Sequence, residues 1–310
     1  MSPLRFLIRL VVQSVWDISQ QCPCENPVWS GSFEQGSAMG ARPAMMRGIL
    51  LVCALALVSC ETVETTQPGA VGVDRQQTML LASSTVNREA DKAYVQTLEE
   101  ATKKGTLNRN PVQIARVHRI VNRLILVTGA FRADAPSWAW EVNVITSKNV
   151  NAWCMPGGKM AVYTGLIEHL KVTDEELAAV MGHEMAHALR EHGRERVSQA
   201  LTQSIGIMVL GLALDLNESA IDLVGTITDL TFNLPNSREH ESEADRIGIE
   251  LAARAGFDPR AAISLWQKMA QVDSGELPEF LSTHPSHEDR IRDLRTFSTR
   301  VMPLYETSRW

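Results

Sequence analysis

No block of lysine and arginine dense enough to neutralise a phosphate backbone occurs in these 310 residues, and the formal net charge is -6. Both facts argue against a nucleic-acid partner. Cysteine is scarce. Cys22, Cys24, Cys53, Cys60 and Cys154 are an odd, scattered set and make no disulfide framework. Cys22-Pro-Cys24 lacks the second pair that would complete a four-ligand metal site. Apolar runs are short as well: Gly48 to Val58 and Ile205 to Leu214 both fall well below the ~20 residues of a bilayer-spanning helix. There is no internal repeat. What is present is globular composition, 45% hydrophobic and 21% charged, in a length suited to one large domain or two small ones.

Met45 to Cys60 (MMRGILLVCALALVSC) has a basic start at Arg47, an apolar core, and Ser59 immediately before Cys60. This is the layout of a signal peptide, and a small residue before cysteine resembles a bacterial lipobox. The expectation is cleavage before Cys60 and lipidation of its sulfur. Residues 1–44 then read as an over-extended start with no folded role, 45–59 as the signal, 60–85 as a polar tether, and 86–310 as the folded domain. A mature chain of this kind keeps only Cys60 and Cys154, so the domain must be stable without an internal disulfide.

Helical periodicity runs over 86–105 and over 111–129, where Ile114, Val117, Ile120, Val121, Leu124 and Ile125 recur at three- and four-residue steps. The period then changes. Trp140, Val142 and Val144 alternate with polar residues, and Lys159 to Thr164 reads as a second strand entered through Pro156-Gly157-Gly158. Everything afterwards is helical. Thr173 and Glu176 form a capping box opening a helix through about Glu195. The stretch 204–216 suits a buried or surface-docked helix, and further helices are predicted at 237–255, 258–271 and 286–299. The predicted class is α+β, mostly helical, with a small sheet.

Within the capped helix lies His183-Glu184-Met185-Ala186-His187. Two histidines four apart stack on one helix face, so both imidazoles can reach a single ion. Glu184 stands beside the first, where it can take a proton from a water attacking a carbonyl. The apolar flanks suggest a buried helix, and buried imidazoles need partners. A second constellation, Ser237-Arg238-Glu239-His240-Glu241-Ser242-Glu243-Ala244-Asp245, sets Glu241 and Asp245 four apart on one face. Glu241 is assigned as third ligand and Asp245 as the carboxylate behind His183, fixing its tautomer. Glu239 and Glu243 read as a solvated acidic face. Three protein ligands with one position open is the pattern of a hydrolytic zinc site, not a structural one.

Four blocks in order, Asn151 to Gly158 with the strand after it, HEMAH, SREHESEAD, and Ser282-Thr283-His284-Pro285-Ser286 followed by Arg290, resemble the HtpX and CAAX-prenyl-endopeptidase family of gluzincin metallopeptidases, particularly its short periplasmic lipoprotein members. The resemblance spans roughly 110–296. It implies a zincin-like fold, a single Zn2+ held by His183, His187 and Glu241, and Glu184 as general base. It further implies that Lys159 to Thr164 is the edge strand that pairs with extended substrate, with Met160 and Val162 facing it and Asn151 holding the substrate backbone. His284 is expected either to steady the developing oxyanion or to occupy the open coordination position. His240 and His287 receive no role, and Cys154 reads as a small buried residue. The expected activity is zinc-dependent cleavage of unfolded or misassembled cell-envelope proteins, from a periplasmic, lipid-anchored position weakly favouring the outer membrane. The alternative is a non-catalytic, chaperone-like assembly factor whose zinc is structural or latched by His284.

Overall fold

The computed structural model describes residues 61–213, 229, 235–271, 279–284 and 289–308. The expected signal at 45–59 and Cys60 lie outside them. Strands β1 (Glu61–Val63) and β2 (Gln77–Met79) come first, then helices α1 (Ser83–Lys103) and α2 (Pro111–Val127). Strands β3 (Glu141–Ile145), β4 (Ala152–Met155) and β5 (Lys159–Tyr163) follow, and then α3 (Thr164–His169), α4 (Asp174–Leu189), α5 (His192–Ala213), α6 (Arg238–Arg254), α7 (Ala261–Ala270), α8 (Glu279–Thr283) and α9 (Arg290–Thr307). The fold is α+β and mostly helical, as the sequence pattern implied.

Helix α4 is the centre of the domain. Thr173 accepts from the Glu176 N–H while Glu176 reaches back to the Thr173 N–H, completing the capping box. From Glu176 to Leu189 every residue is buried. Leu177, Met181, Met185 and Leu189 are fully so, each stabilising by about 1.5–3 kcal/mol. Helix α6, capped by the Ser237 hydroxyl on the His240 N–H, crosses α4 at two glycines. A Cβ on Gly182 would lie 2.7 Å from the Gly248 carbonyl oxygen, and one on Gly248 would lie 2.7 Å from the His183 nitrogen. Only glycine lets the two backbones meet this closely.

The main sheet has strand order β3-β5-β4, with β3 parallel and β4 antiparallel to β5. β5 was expected to be the edge strand, but it is central, paired on both sides, and Met160 and Val162 are 0% exposed, so neither can meet substrate. The strand with one partner beside the cleft is β4, which turns back on β5 through Pro156-Gly157-Gly158 with positive φ at both glycines. β4 escaped the pattern search because all four of its residues are buried and show no alternation.

Two further corrections concern the chain on either side of the core. The segment expected to be a tether is folded: β1 and β2 pair antiparallel, and Thr66, Val71, Val73, Gln77 and Met79 are buried. Hydrogen bonds from Gln67 N to Phe131 O and from Val71 N to Glu250 Oε2 fasten this strap to the helical core. The helix expected to continue through Glu195 stops at Leu189. Glu191 takes a left-handed φ of 53°, its carboxylate held by Arg132, Arg194 and Ser83, and a new helix begins at His192.

Candidate metal centre

Helix α4 delivers His183 and His187 from one face, α6 delivers Glu241, and α8 ends just before His284. One ligand atom from each of these four buried side chains lies within 4.8 Å of all the others. The Nε2 atoms of His183 and His187 are 3.1 Å apart. Glu241 Oε2 is 3.4 Å from His183 Nε2, and Oε1 is 3.4 Å from His187 Nε2. His284 Nδ1 lies 3.1 Å from His183 Nε2 and 3.0 Å from Glu241 Oε1.

The electrostatics fit a cation at the convergence point. Burial opposes charge on His183, yet the Glu241 and Asp245 carboxylates push its pKa up to about 9. Burial likewise opposes ionisation of Glu241, but the surrounding histidines hold its carboxyl well below the usual range. Burial, with His183 and His192 nearby, holds His187 well below the usual imidazole range and so leaves it neutral, and neutral imidazole with carboxylate is the donor chemistry of zinc-type ions. Asp245 Oδ1 is 3.0 Å from His183 Nδ1, so that ring can keep its proton on Nδ1 and direct Nε2 into the site.

Glu184 is buried at 3% exposure. Its Oε1 lies 3.4 Å from His284 Nε2 and has no hydrogen-bond partner among the described residues. Burial raises its pKa, opposed by His284 and His183 and by a hydrogen bond from the Cys154 backbone N–H. A carboxylate with one unsatisfied oxygen, facing a cavity of ≈ 50 Å³, has room for a few waters and the proton affinity of a general base. The cavity is lined by Asn151, Ala152, Cys154, His187 and His284, so it runs along the free side of β4. Asn151 is buried there, its Oδ1 accepting from Ala152 N and its carbonyl accepting from Tyr163 N. In an antiparallel ladder this alternation turns the backbone groups of Ala152 and Cys154 away from β5, toward the cleft. Cys154 is buried, and burial pushes its thiol up.

Several residues at the site were passed over or misread from sequence. Arg290, fully buried, donates to Glu241 Oε2 at 3.0 Å and Asp245 Oδ1 at 2.7 Å, and its guanidinium lies 3.4 Å over the Trp266 ring. Glu243, expected to be solvated, is buried and held by Arg190, Arg75 and His192. His192 sits with its Nδ1 2.9 Å from His187 Nδ1. His240, assigned no role, is buried, stacks on His192 at 4.3 Å and bonds Glu195. The only local hint was Arg290's place in the fourth motif block; the rest depend on the left-handed turn at Glu191 and on the strap, which carries no periodic signal.

The family model described as peptidase family M48 matches residues 111–298. The mitochondrial metalloendopeptidase OMA1 of Arabidopsis thaliana is 42% identical over 50% of this chain and 30% of its own length. Its Schizosaccharomyces pombe counterpart is 34% identical over 71% of this chain and 63% of its own. The metalloprotease LoiP of Escherichia coli is 25% identical over 81% of this chain and 96% of its own. The chain thus spans less than two thirds of the length of the mitochondrial relatives. These matches overturn the expected periplasmic, lipid-anchored placement, because mitochondrial proteins stand among the most similar relatives. The signal-like stretch Met45 to Cys60 that suggested it lies outside the described residues, and the peptidase domain is similar in the mitochondrial proteins and in LoiP alike.

Proposed function

The chain belongs to peptidase family M48, and from that premise we propose that it is a zinc-dependent endopeptidase acting on unfolded or misassembled polypeptides. The observation that carries this reading is the meeting, in one buried cleft, of the His183-His187-Glu241 donor group, the unsatisfied Glu184 carboxylate and the free side of β4. His183, His187 and Glu241 would hold the metal, with Asp245 fixing the His183 tautomer. Bound there, zinc polarises a scissile carbonyl and lowers the pKa of water. Glu184 takes the proton from the attacking water and returns it to the leaving amine; its raised pKa suits both halves of that transfer. An extended substrate segment lies along β4 and donates its backbone N–H groups to the outward carbonyls of Ala152 and Cys154, which selects unfolded chain over folded. The Ala152 N–H itself is taken by Asn151 Oδ1, so Asn151 fixes the backbone of the strand beside the cleft.

The test is metal content and cleavage of a casein-like unfolded substrate, measured together. Wild type should cleave, and Glu184→Gln should lose about 10²–10⁴-fold while retaining its zinc. Equal activity of the two proteins would sink the reading.

A specific observation also favours a closed resting form. His284 completes the group as a fourth donor, and a closed four-ligand set leaves no position for substrate. His284→Ala should then raise the rate of a slow wild type. A lower rate would instead mean that His284 acts on the transition state.

A further inference from the structure

The two histidines of α4 are supported differently. His183 Nδ1 meets a carboxylate directly, Asp245, at 3.0 Å. His187 Nδ1 meets another imidazole, His192 Nδ1, at 2.9 Å, and His192 Nε2 lies 2.9 Å from Glu243 Oε2. The protons along this row can be placed by elimination. An ionised carboxylate only accepts, so His192 Nε2 carries a proton. Two ring nitrogens 2.9 Å apart cannot both carry hydrogens on the line between them, and two bare nitrogens would repel. For His187 to offer its Nε2 lone pair to a metal ion held jointly with Glu241 and His183, its Nδ1 must hold the proton. His192 Nδ1 is then the acceptor, and its ring is neutral with hydrogen on Nε2 alone. One assignment satisfies every atom in the row.

We propose that His192 is a positioning residue for His187, an imidazole that passes the orienting hydrogen bond from the metal-facing ring to Glu243. The proposal rests on the metal reading given above. What lies behind His192 shows a rigid support. Its ring is 1% exposed and stacks on His240 with planes 18° apart. Glu243 is gripped by Arg190, through both Nε and Nη2, and by Arg75 Nε at 2.8 Å. Arg75 comes from the N-terminal strap, where Gln77 also donates to Arg190 O. Helix α5 can place its first residue against His187 only because the chain turns at the left-handed Glu191. The strap, the turn and the second metal-facing histidine are therefore one hydrogen-bonded assembly.

Removing the partner behind a metal-ligating histidine typically costs 10–100-fold in affinity. His192→Leu should weaken zinc binding by that factor in chelator competition, and should alter the visible absorption of the Co2+-substituted protein. In His192→Gln the side-chain oxygen can accept from His187 and the amide can donate to Glu243, so affinity should stay within about threefold of wild type. Wild-type zinc-loaded protein supplies a readout that needs no variant to fold: two-bond 15N–1H spectra should show His192 protonated on Nε2 and bare on Nδ1. Affinity and Co2+ spectrum unchanged in His192→Leu, or a proton on His192 Nδ1 in the wild type, would overturn the proposal while leaving the metal site intact. A wild type that binds no zinc would instead remove the reading on which it rests.

Discussion

Gly248→Ala is the sharpest test of how the helix crossing governs the site. The added methyl would stand 2.7 Å from the His183 backbone nitrogen and 2.9 Å from its Cα. Those are main-chain atoms in the middle of α4, so no side chain can swing aside. Ordinary van der Waals contact begins at 3.4 Å, so α6 must move away from α4 by roughly 0.7 Å, short of the 3.5–4.0 Å optimum for carbon contacts. Overpacking of this kind costs about 1–3 kcal/mol, against which alanine regains at most ~1 kcal/mol of helix propensity. Net loss of stability should therefore be modest, on the order of 1–2 kcal/mol. The functional loss should be larger, because the donors are divided between the two helices: His183 and His187 on one, Glu241 on the other. Metal sites tolerate about ±0.2 Å in ligand distance, and a 1 Å displacement at a reacting centre can cost 10²-fold. The expected outcome is zinc affinity and proteolysis both down at least tenfold, in a protein that still unfolds cooperatively with its urea midpoint lowered by roughly 0.5–1 M. Gly248→Ala with wild-type affinity and rate would mean that the crossing does not set the ligand spacing.

Arg290→Met removes a fully buried cation from Glu241 and Asp245, and breaking such a pair typically costs about 3–5 kcal/mol. The metal-free protein should lose that much by urea unfolding, and a loss under 1 kcal/mol would show the carboxylates compensated elsewhere. Burial alone would raise the Glu195 carboxyl, but hydrogen bonds from Arg75, His240 and Gln77 hold it well below the usual range. A lowered folded pKa contributes stability that is present above the unfolded value of ~4.3 and is lost as pH falls toward the folded one. The gap between wild type and Arg75→Gln, about 1–3 kcal/mol at pH 7, should therefore narrow between pH 4 and pH 2 in denaturant titrations; a constant gap would count against the assignment. Cys154, buried with its thiol pushed up, should resist alkylation in the native protein, and Cys154→Ser should leave proteolysis within a few fold. Fast native labelling would contradict this.

Helix α4 with its two histidines could be read from the chain because its signals are local: a capping box, apolar flanks and a four-residue spacing all lie within 17 residues. Glu241 and Asp245 were legible for the same reason. What failed was everything that depends on distant chain. The solvated reading of Glu243 was reasonable for one helix in isolation, since nothing nearby shows that Arg75 arrives from 168 residues away. The break falls on a glutamate, Glu191, while the nearby Gly193 lies inside the helix that follows, and so His192 looked like one more helical residue. The edge strand was misplaced because pairing order is a property of the sheet; β4 and β5 differ in what lies on their far sides, which neither sequence records.

The strap has a consequence for how the protein is made. Its hydrogen bonds to the Arg190 turn, α5 and α6 reach residues 113 to 179 positions further along the chain, and His183 and His284 in the donor group are themselves 101 apart. During synthesis the strap emerges before the partners that hold it and cannot complete its docking until α6 has left the ribosome; the last donor follows later still. Long-range contacts of this kind close late. A partly made chain therefore holds the HEMAH helix without its third candidate donor or its Arg290 counter-charge, and with the strap only partly docked.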